Sequence, residues 1–150
     1  MFESRCDANP NRCQFITAEE GISYSLQDID KLANQIANFA IELQLTQKST
    51  VALMLLNRPE FVAFWLGMAK VGCSTALLNT NLSGATLVHI VNTALKSTPS
   101  SNGYQKKSQT STKLLVVDDD IEGGIAADLE ALHSVVVYTW SGNQNVQCQT

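Results

Sequence analysis

The chain has 150 residues, 45% of them hydrophobic and 16% charged, with a formal net charge of −4 at pH 7. A chain of this length buries roughly 68–70% of the surface it exposes when unfolded, so a real core is available, and charge this sparse excludes a disordered chain. There is no basic surplus to hold a phosphate backbone, which excludes nucleic acid as a partner.

The opening Met1-Phe-Glu-Ser-Arg-Cys-Asp7 has no apolar stretch behind a basic start and does not read as a signal peptide. Phe15-Ile16-Thr17 and Ile22-Ser23-Tyr24 are short β-like pieces. Glu19-Glu20-Gly21 between them supplies a turn, so a small hairpin is predicted. Ser25 then looks like a helix N-cap, with Asp28 as the acidic member of a capping box. Leu26, Ile29, Leu32, Ile36, Ala40 and Leu43 follow at spacings of three and four, one apolar stripe on an amphipathic helix. Asp30, Lys31, Asn34, Gln35 and Asn38 cover its other side.

Residues 51–56 form a continuous apolar run that ends at Asn57-Arg58-Pro59. A run apolar on both faces predicts a central strand of a parallel sheet, with helices on each side. Pro59 suits the first turn of a helix, where its missing N–H costs little. The helix predicted over 60–71 would bury Phe61, Phe64, Trp65 and Met68, and Gly72 would stop it. Residues 73–78 give a second buried strand. Although 51–78 is the most apolar region, Asn57, Arg58, Pro59, Glu60 and Lys70 interrupt it. A spanning helix needs about 20 predominantly apolar residues, so the region reads as core and not as a membrane span.

Ser83 is placed to cap a third helix through Leu87, Val88, Val91 and Leu95. Residues 97–112 then break the pattern: Ser, Thr, Gln, Lys and Asn dominate with Pro99 and Gly103, which predicts a flexible polar insertion. The sheet resumes at 113–117, a short helix follows at about 122–132, and 135–138 form another strand. The chain closes in polar residues 141–150. Strand and helix alternate as in βαβ units, so the fold class is α/β: an incomplete doubly wound, mostly parallel sheet with flanking helices and a small N-terminal hairpin.

Chemistry-bearing residues are few. None of the eight glycines falls into a phosphate-binding spacing, and the tract holding Lys106 and Lys107 has only Gly103, so it reads as a solvated loop. Asp118-Asp119-Asp120 ends a strand, and three carboxylates there have the hard oxygen donors that Mg²⁺ prefers. The stretch from Lys113 to Asp120 resembles the first strand of a receiver domain, but no aspartate follows Asp128 to accept a phosphate. The plainer reading is a cluster of acids favoured at a helix start. His89 and His133 have no nucleophile and acidic partner apparent in sequence, and read as packed or surface residues. Phe61, Phe64 and Trp65 sit at helical spacing and read as core. Cys6, Cys13, Cys73 and Cys148 form no Cys-x-x-Cys pair. A Cys6–Cys13 disulfide is conceivable, but free thiols in a reducing compartment are the expectation. Cys73, in an apolar run, reads as a small buried hydrophobe.

One stretch is more particular. Asn57-x-Pro59-Glu60-Phe61, Trp65-Leu66-Gly67-x-x-Lys70-x-Gly72 and Leu78-Asn79-Thr80-Asn81-Leu82, continued by Leu87-Val88-His89, closely resemble the fatty acid transport proteins, also called very-long-chain acyl-CoA synthetases, within the adenylate-forming superfamily. The resemblance is good from about Phe15 to Leu95 and weaker from Lys113 to Trp140. Asn79-Thr80-Asn81 points to the fatty-acid-transport branch. The chain departs from the pattern at Ser83-Gly84, where many relatives carry a basic residue, and at 97–112.

The resemblance implies ATP-dependent activation of a long-chain or very-long-chain fatty acid to acyl-CoA, coupled to uptake, by an AMP-forming acid–thiol ligase. It implies ATP, Mg²⁺ and coenzyme A as cofactors, a long-chain fatty acid and the remainder of the synthetase domain as partners, and an intracellular, membrane-associated setting at the endoplasmic reticulum or plasma membrane. The family's phosphate loop, ribose-binding aspartate and C-terminal lysine match no position here, so no catalytic, cofactor-binding or metal residue is assigned. Residues 1–150 are expected to be part of the N-terminal region of an AMP-binding domain, soluble and inactive alone. The competing expectations are a receiver-like Mg²⁺-binding module and a non-enzymatic interaction domain.

Overall fold

A capping box sets where the first long helix begins. The Ser25 backbone N donates to Asp28 Oδ2 at 2.9 Å, and the Asp28 N donates back to Ser25 Oγ at 3.2 Å. These two bonds satisfy orphan donors of a helix start and anchor α2 (Leu26–Glu42), as the sequence predicts. Ile29, Ile36 and Ala40 of the predicted stripe are buried, joined by Ala33, Ala37 and Phe39; Leu26, Leu32 and Leu43 are half-buried at its rim.

The computed structural model describes residues 2–16, 21–96 and 112–141. Ahead of α2 stand α1 (Phe2–Ala8), β1 (Cys13–Ile16) and β2 (Ser23–Ser25). The strands pair antiparallel, with Phe15 opposite Tyr24 and Ile16 opposite Ser23, which is the predicted hairpin. Gly21 has φ +66°, the conformation for which glycine was expected; Thr17 of the expected first strand and Glu19 and Glu20 of the expected turn lie outside the described residues. Sequence reading missed α1. Seven residues are too few to show a period, and tertiary docking holds the helix: Cys6 is buried and its Sγ lies 3.7 Å from the Leu26 carbonyl oxygen.

The main sheet has four parallel strands in the order β4-β3-β5-β6. These are β3 (Thr50–Met54), β4 (Ser74–Leu77), β5 (Leu114–Asp118) and β6 (Val136–Trp140). Helices α3 (Pro59–Val71), α4 (Gly84–Ala94) and α5 (Asp119–Glu130) connect them. The two apolar runs lie side by side, Val51 opposite Thr75 and Leu53 opposite Leu77. β3 and β5 are the inner strands, and all five residues of β5 are buried. The prediction of a second buried strand at 73–78 needs correction. Cys73 is buried, but β4 is an outer strand of the described sheet, with Ser74 and Leu77 exposed. Alternate residues feed two cores. Val51, Leu53, Leu114 and Val116 pack with α2 and α3, while Ala52, Met54, Leu115 and Val117 pack with α4 and α5. Helices cover both faces, so strand runs of unbroken apolarity follow.

Pro59 is the first residue of α3 and Gly72 ends it with φ +84°, both as predicted. The buried face of α3 is Glu60, Ala63, Phe64, Gly67 and Met68, at spacings of three and four. Trp65 is 51% exposed and Phe61 half-buried, a correction to the expectation that both are core. Successive residues turn about 100° around a helix, so a face centred on Phe64 carries Trp65 toward its flank. What fixes that centre is Gly67: a Cβ there would lie 2.7 Å from the Ala33 carbonyl oxygen, so α2 rests on the glycine. Beside this contact, Lys70 Nζ binds Asp30 Oδ1 and Asn34 Oδ1, each at 2.7 Å, and ties the two helices along a partly exposed seam.

α5 starts at Asp119, three residues before the predicted 122, and β6 runs 136–140 in place of 135–138. The predicted insertion at 97–112 and the tail at 141–150 fall, but for Thr112 and Ser141, outside the described residues.

Candidate functional site

Doubly wound sheets receive ligands in the crevice beyond the carboxyl ends of their strands, where the strand order reverses. Here the chain runs from β3 to β4 on one side, then returns past β3 to β5 on the other. The reversal lies between β3 and β5, and two segments meet at that point: residues 55–58 after β3, and Asp118 to Asp120 after β5.

Asp118 is fully buried. Its Oδ2 accepts from Leu56 N at 3.2 Å, and its Oδ1 accepts from Asp120 N at 3.3 Å and pairs with Arg58 Nη2 at 2.9 Å. Arg58 also pairs with Asp120, whose side chain is mostly exposed. Burial pushes the Asp118 carboxyl above the usual aspartate range; the two backbone N–H groups and the Arg58 guanidinium oppose that rise, and Asp119 adds to it. The acidic cluster is thus the N-terminus of α5, with Asp118 as N-cap and Asp119, Asp120 and Glu122 in the first turn, in line with the plainer expectation. The three carboxylates have oxygens within 4.8 Å of one another. They do not fit a Mg²⁺ ion, because the Arg58 guanidinium already supplies the positive charge between two of them. What this arrangement does is electrostatic: it joins β3 to β5 across the crevice.

The remaining candidates separate from this point. His89 is exposed on α4 and His133 is exposed between α5 and β6. Cys73 is a free thiol donating to the Thr46 carbonyl oxygen at 3.3 Å, and burial pushes it up from its ordinary value. Cys6 is also a free thiol, raised first by burial; the Cys13 side chain and Cys148 lie outside the described residues, as do Lys106 and Lys107. Ser83 is the N-cap residue of α4, but its side chain makes no capping bond. Asp128 of α5 takes that role, accepting from Gly84 N at 2.6 Å. Trp140, paired in register with Asp118, packs edge-on against Phe64 with ring centroids 4.9 Å apart. Its buried Nε1 meets no acceptor among the described residues.

Sequence reading singled out Asp118 but missed Arg58 as its partner. The available signal was an arginine two residues beyond one apolar run, 51–56, and an aspartate closing another strand. Two adjacent parallel strands bring such positions to the same edge.

The sequence profile described as AMP-binding enzyme matches residues 2–120. The chain is 35% identical over 94 residues to the rat long-chain fatty acid transport protein 1, a match covering 63% of this chain and 15% of that protein. It is 43% identical over 75 residues to the mouse long-chain fatty acid transport protein 6, covering 49% of this chain and 12% of the relative. Among solved structures, the N-terminal domain of FACL13 from Mycobacterium tuberculosis superposes with a TM-score of 0.73 at 17% identity, over 93% of this chain and 32% of that one. A long-chain-fatty-acid-CoA ligase from Archaeoglobus fulgidus gives 0.73 at 16% identity, over 96% and 27%. At such identities the structural likeness speaks for the fold alone. The chain therefore spans well under a fifth of the length of these two transport-protein relatives.

Proposed function

This chain belongs to the AMP-binding enzyme family, and on that footing we propose that residues 1–150 form part of the N-terminal region of the AMP-binding domain of a fatty acid–CoA ligase of the fatty-acid-transport kind. The observation that carries this reading is the 43% identity to a long-chain fatty acid transport protein across 49% of the chain. In this reading a long-chain carboxylate attacks ATP to give an acyl-adenylate and pyrophosphate, and the thiol of coenzyme A then displaces AMP. Positioned cations and N–H donors would offset the phosphate charge. No described residue is assigned to those steps: the buried carboxylate is already bound, the two histidines are exposed, and no glycine spacing forms a phosphate loop. Mg²⁺ has no fitting donor set at Asp118–Asp120, so no step is routed through it.

The contribution of this chain is then architectural. It supplies parallel strands whose carboxyl ends face a crevice, with the remainder of the synthetase domain supplying the reacting groups. Setting is part of the proposal as well: intracellular and membrane-associated, at the endoplasmic reticulum or plasma membrane. No helix among the described residues is long and apolar enough to cross a membrane. The receiver-like alternative is not favoured, because the AMP-binding match reaches through the acidic cluster and Arg58 occupies its charge. Incubation of the purified chain with ATP, coenzyme A and oleate tests the architectural role. No oleoyl-CoA is expected, and its ATP-dependent formation would overturn that role.

A further inference from the structure

The pairing of β3 with β5 ends at Met54 and Val117. Residues 55–58 continue across the switch-point crevice beyond that last pair. Leu55 is buried at one end, and Pro59 and Glu60 are buried at the other. Between them Leu56 and Arg58 are half-buried and Asn57 is exposed. This stretch makes a turn of its own, with Arg58 N donating to the Leu56 carbonyl oxygen at 2.8 Å. Its polar bonds to the β5–α5 side converge on neighbouring carboxylates: Leu56 N and Arg58 Nη2 on Asp118, and Arg58 again on Asp120.

We infer that residues 55–58 are a strap, latched across the crevice by Arg58 and Asp118 and able to swing clear as a unit while the sheet beneath stays paired. Three features favour a local opening over a global one. The strap's middle is polar or already partly exposed, so lifting it uncovers little apolar surface. Its ends are fixed, by the buried Leu55 and by Pro59, whose ring holds φ, so motion is confined between them. The attachment is charge-assisted and short-range, which gives two distinct arrangements, bound and unbound. The charged groups acting on Asp118 are Arg58 from the strap and Asp119 from α5, while Asp120 contributes its backbone N–H; β6 alongside brings Thr139 and Trp140, which do not titrate. Opening uncovers the carboxyl ends of β3 and β5, the place where sheets of this topology admit ligands. The inference rests on the strap itself and stands apart from the ligase reading.

Amide hydrogen exchange on the 150-residue chain tests it. The reporter is the Leu56 N–H, which ends on Asp118, and the control is the Leu45 N–H, which donates to the Ala40 carbonyl oxygen at 2.9 Å on the other side of β3. In Asp118→Asn the carboxamide presents an N–H group to the guanidinium, and Leu56 protection is expected to fall about tenfold or more while Leu45 changes by less than about twofold. Arg58→Gln is expected to loosen Leu56 in the same selective way, with Arg58→Lys restoring part of the protection. Equal loss at both amides in Arg58→Gln, or unchanged Leu56 exchange in Asp118→Asn, overturns the strap. Should Asp118→Asn unfold, the Arg58 variants decide between the two outcomes.

Discussion

Gly67 of α3 lies so close to Ala33 of α2 that a Cβ on the glycine would stand 2.7 Å from the Ala33 carbonyl oxygen and 2.8 Å from Ile36 Cβ. That contact sets the separation of the two helices covering one face of the sheet, and with it the burial of Phe64 and Met68. Both obstacles belong to a helix body and cannot rotate aside. Alanine at a helical position normally gains about 0.5–1 kcal/mol over glycine. Overpacking of this kind costs about 1–3 kcal/mol, so Gly67→Ala is expected to be net destabilising. The urea midpoint of unfolding checks the sign, and an increase in stability would place the close approach elsewhere.

Gly123 and Gly124 give the opposite expectation. Both stand inside α5, and a Cβ added to either meets nothing within 4 Å. Gly123→Ala and Gly124→Ala should each stabilise by about 0.5–1 kcal/mol, through helix propensity and a less flexible unfolded chain. Thermal unfolding of the two variants, singly and together, measures this.

The capping box carries a pH signature. Hydrogen bonds from the Ser25 side chain and backbone hold the Asp28 carboxyl below the usual aspartate range. A group lowered on folding contributes stability above its unfolded pKa and loses it as pH falls through the folded one. Ser25→Ala should cost about 0.5–2 kcal/mol at neutral pH, the range for losing a cap. The difference from the parent should shrink in acid, once Asp28 is protonated in both. Denaturant midpoints at a series of pH values report the trend.

Asp118 runs the other way. Its carboxyl is raised on folding, first by burial, so the folded chain holds the proton more tightly than the unfolded chain. Its contribution is most favourable below the unfolded pKa and declines as pH rises through the folded one. The stability of Asp118→Asn relative to the parent should therefore improve with rising pH. The same denaturant series, run on that variant, tests the slope.

How much of this was legible beforehand differs by element. Local signals were read correctly where they act locally. Ser25 and Asp28 mark a helix start, Pro59 and Gly72 bracket α3, and the unbroken apolarity of 51–56 marks an inner strand. The acids at 118–120 read as a helix-start cluster, which they are, but the helix begins at Asp119 and not at about 122, because the N-cap bond from Asp120 N to Asp118 puts Asp119 and Asp120 in the first turn. The burial of Trp65 was misjudged because four apolar residues at 61, 64, 65 and 68 leave two choices of face, and Gly67, which has no side chain to suggest a contact, decides between them. Residues 51–56 are apolar throughout, whereas 73–78 carries Ser74 and Thr75, and that polar pair is the local sign that β4 lies outside β3; the full strand order is a property of the crossovers. The Arg58–Asp118 bridge spans about sixty residues and emerges only once β3 and β5 are placed side by side.

The most direct test of the proposed role is a chimera: the 75-residue stretch of this chain that aligns with the mouse long-chain fatty acid transport protein 6 set in place of its counterpart in that protein, with ATP- and coenzyme A-dependent oleoyl-CoA formation compared with that of the unaltered relative. The account predicts that the chimera keeps the relative's activity, because the segment supplies the sheet and not the reacting groups. A folded chimera that makes no oleoyl-CoA, beside a relative that does, would contradict it.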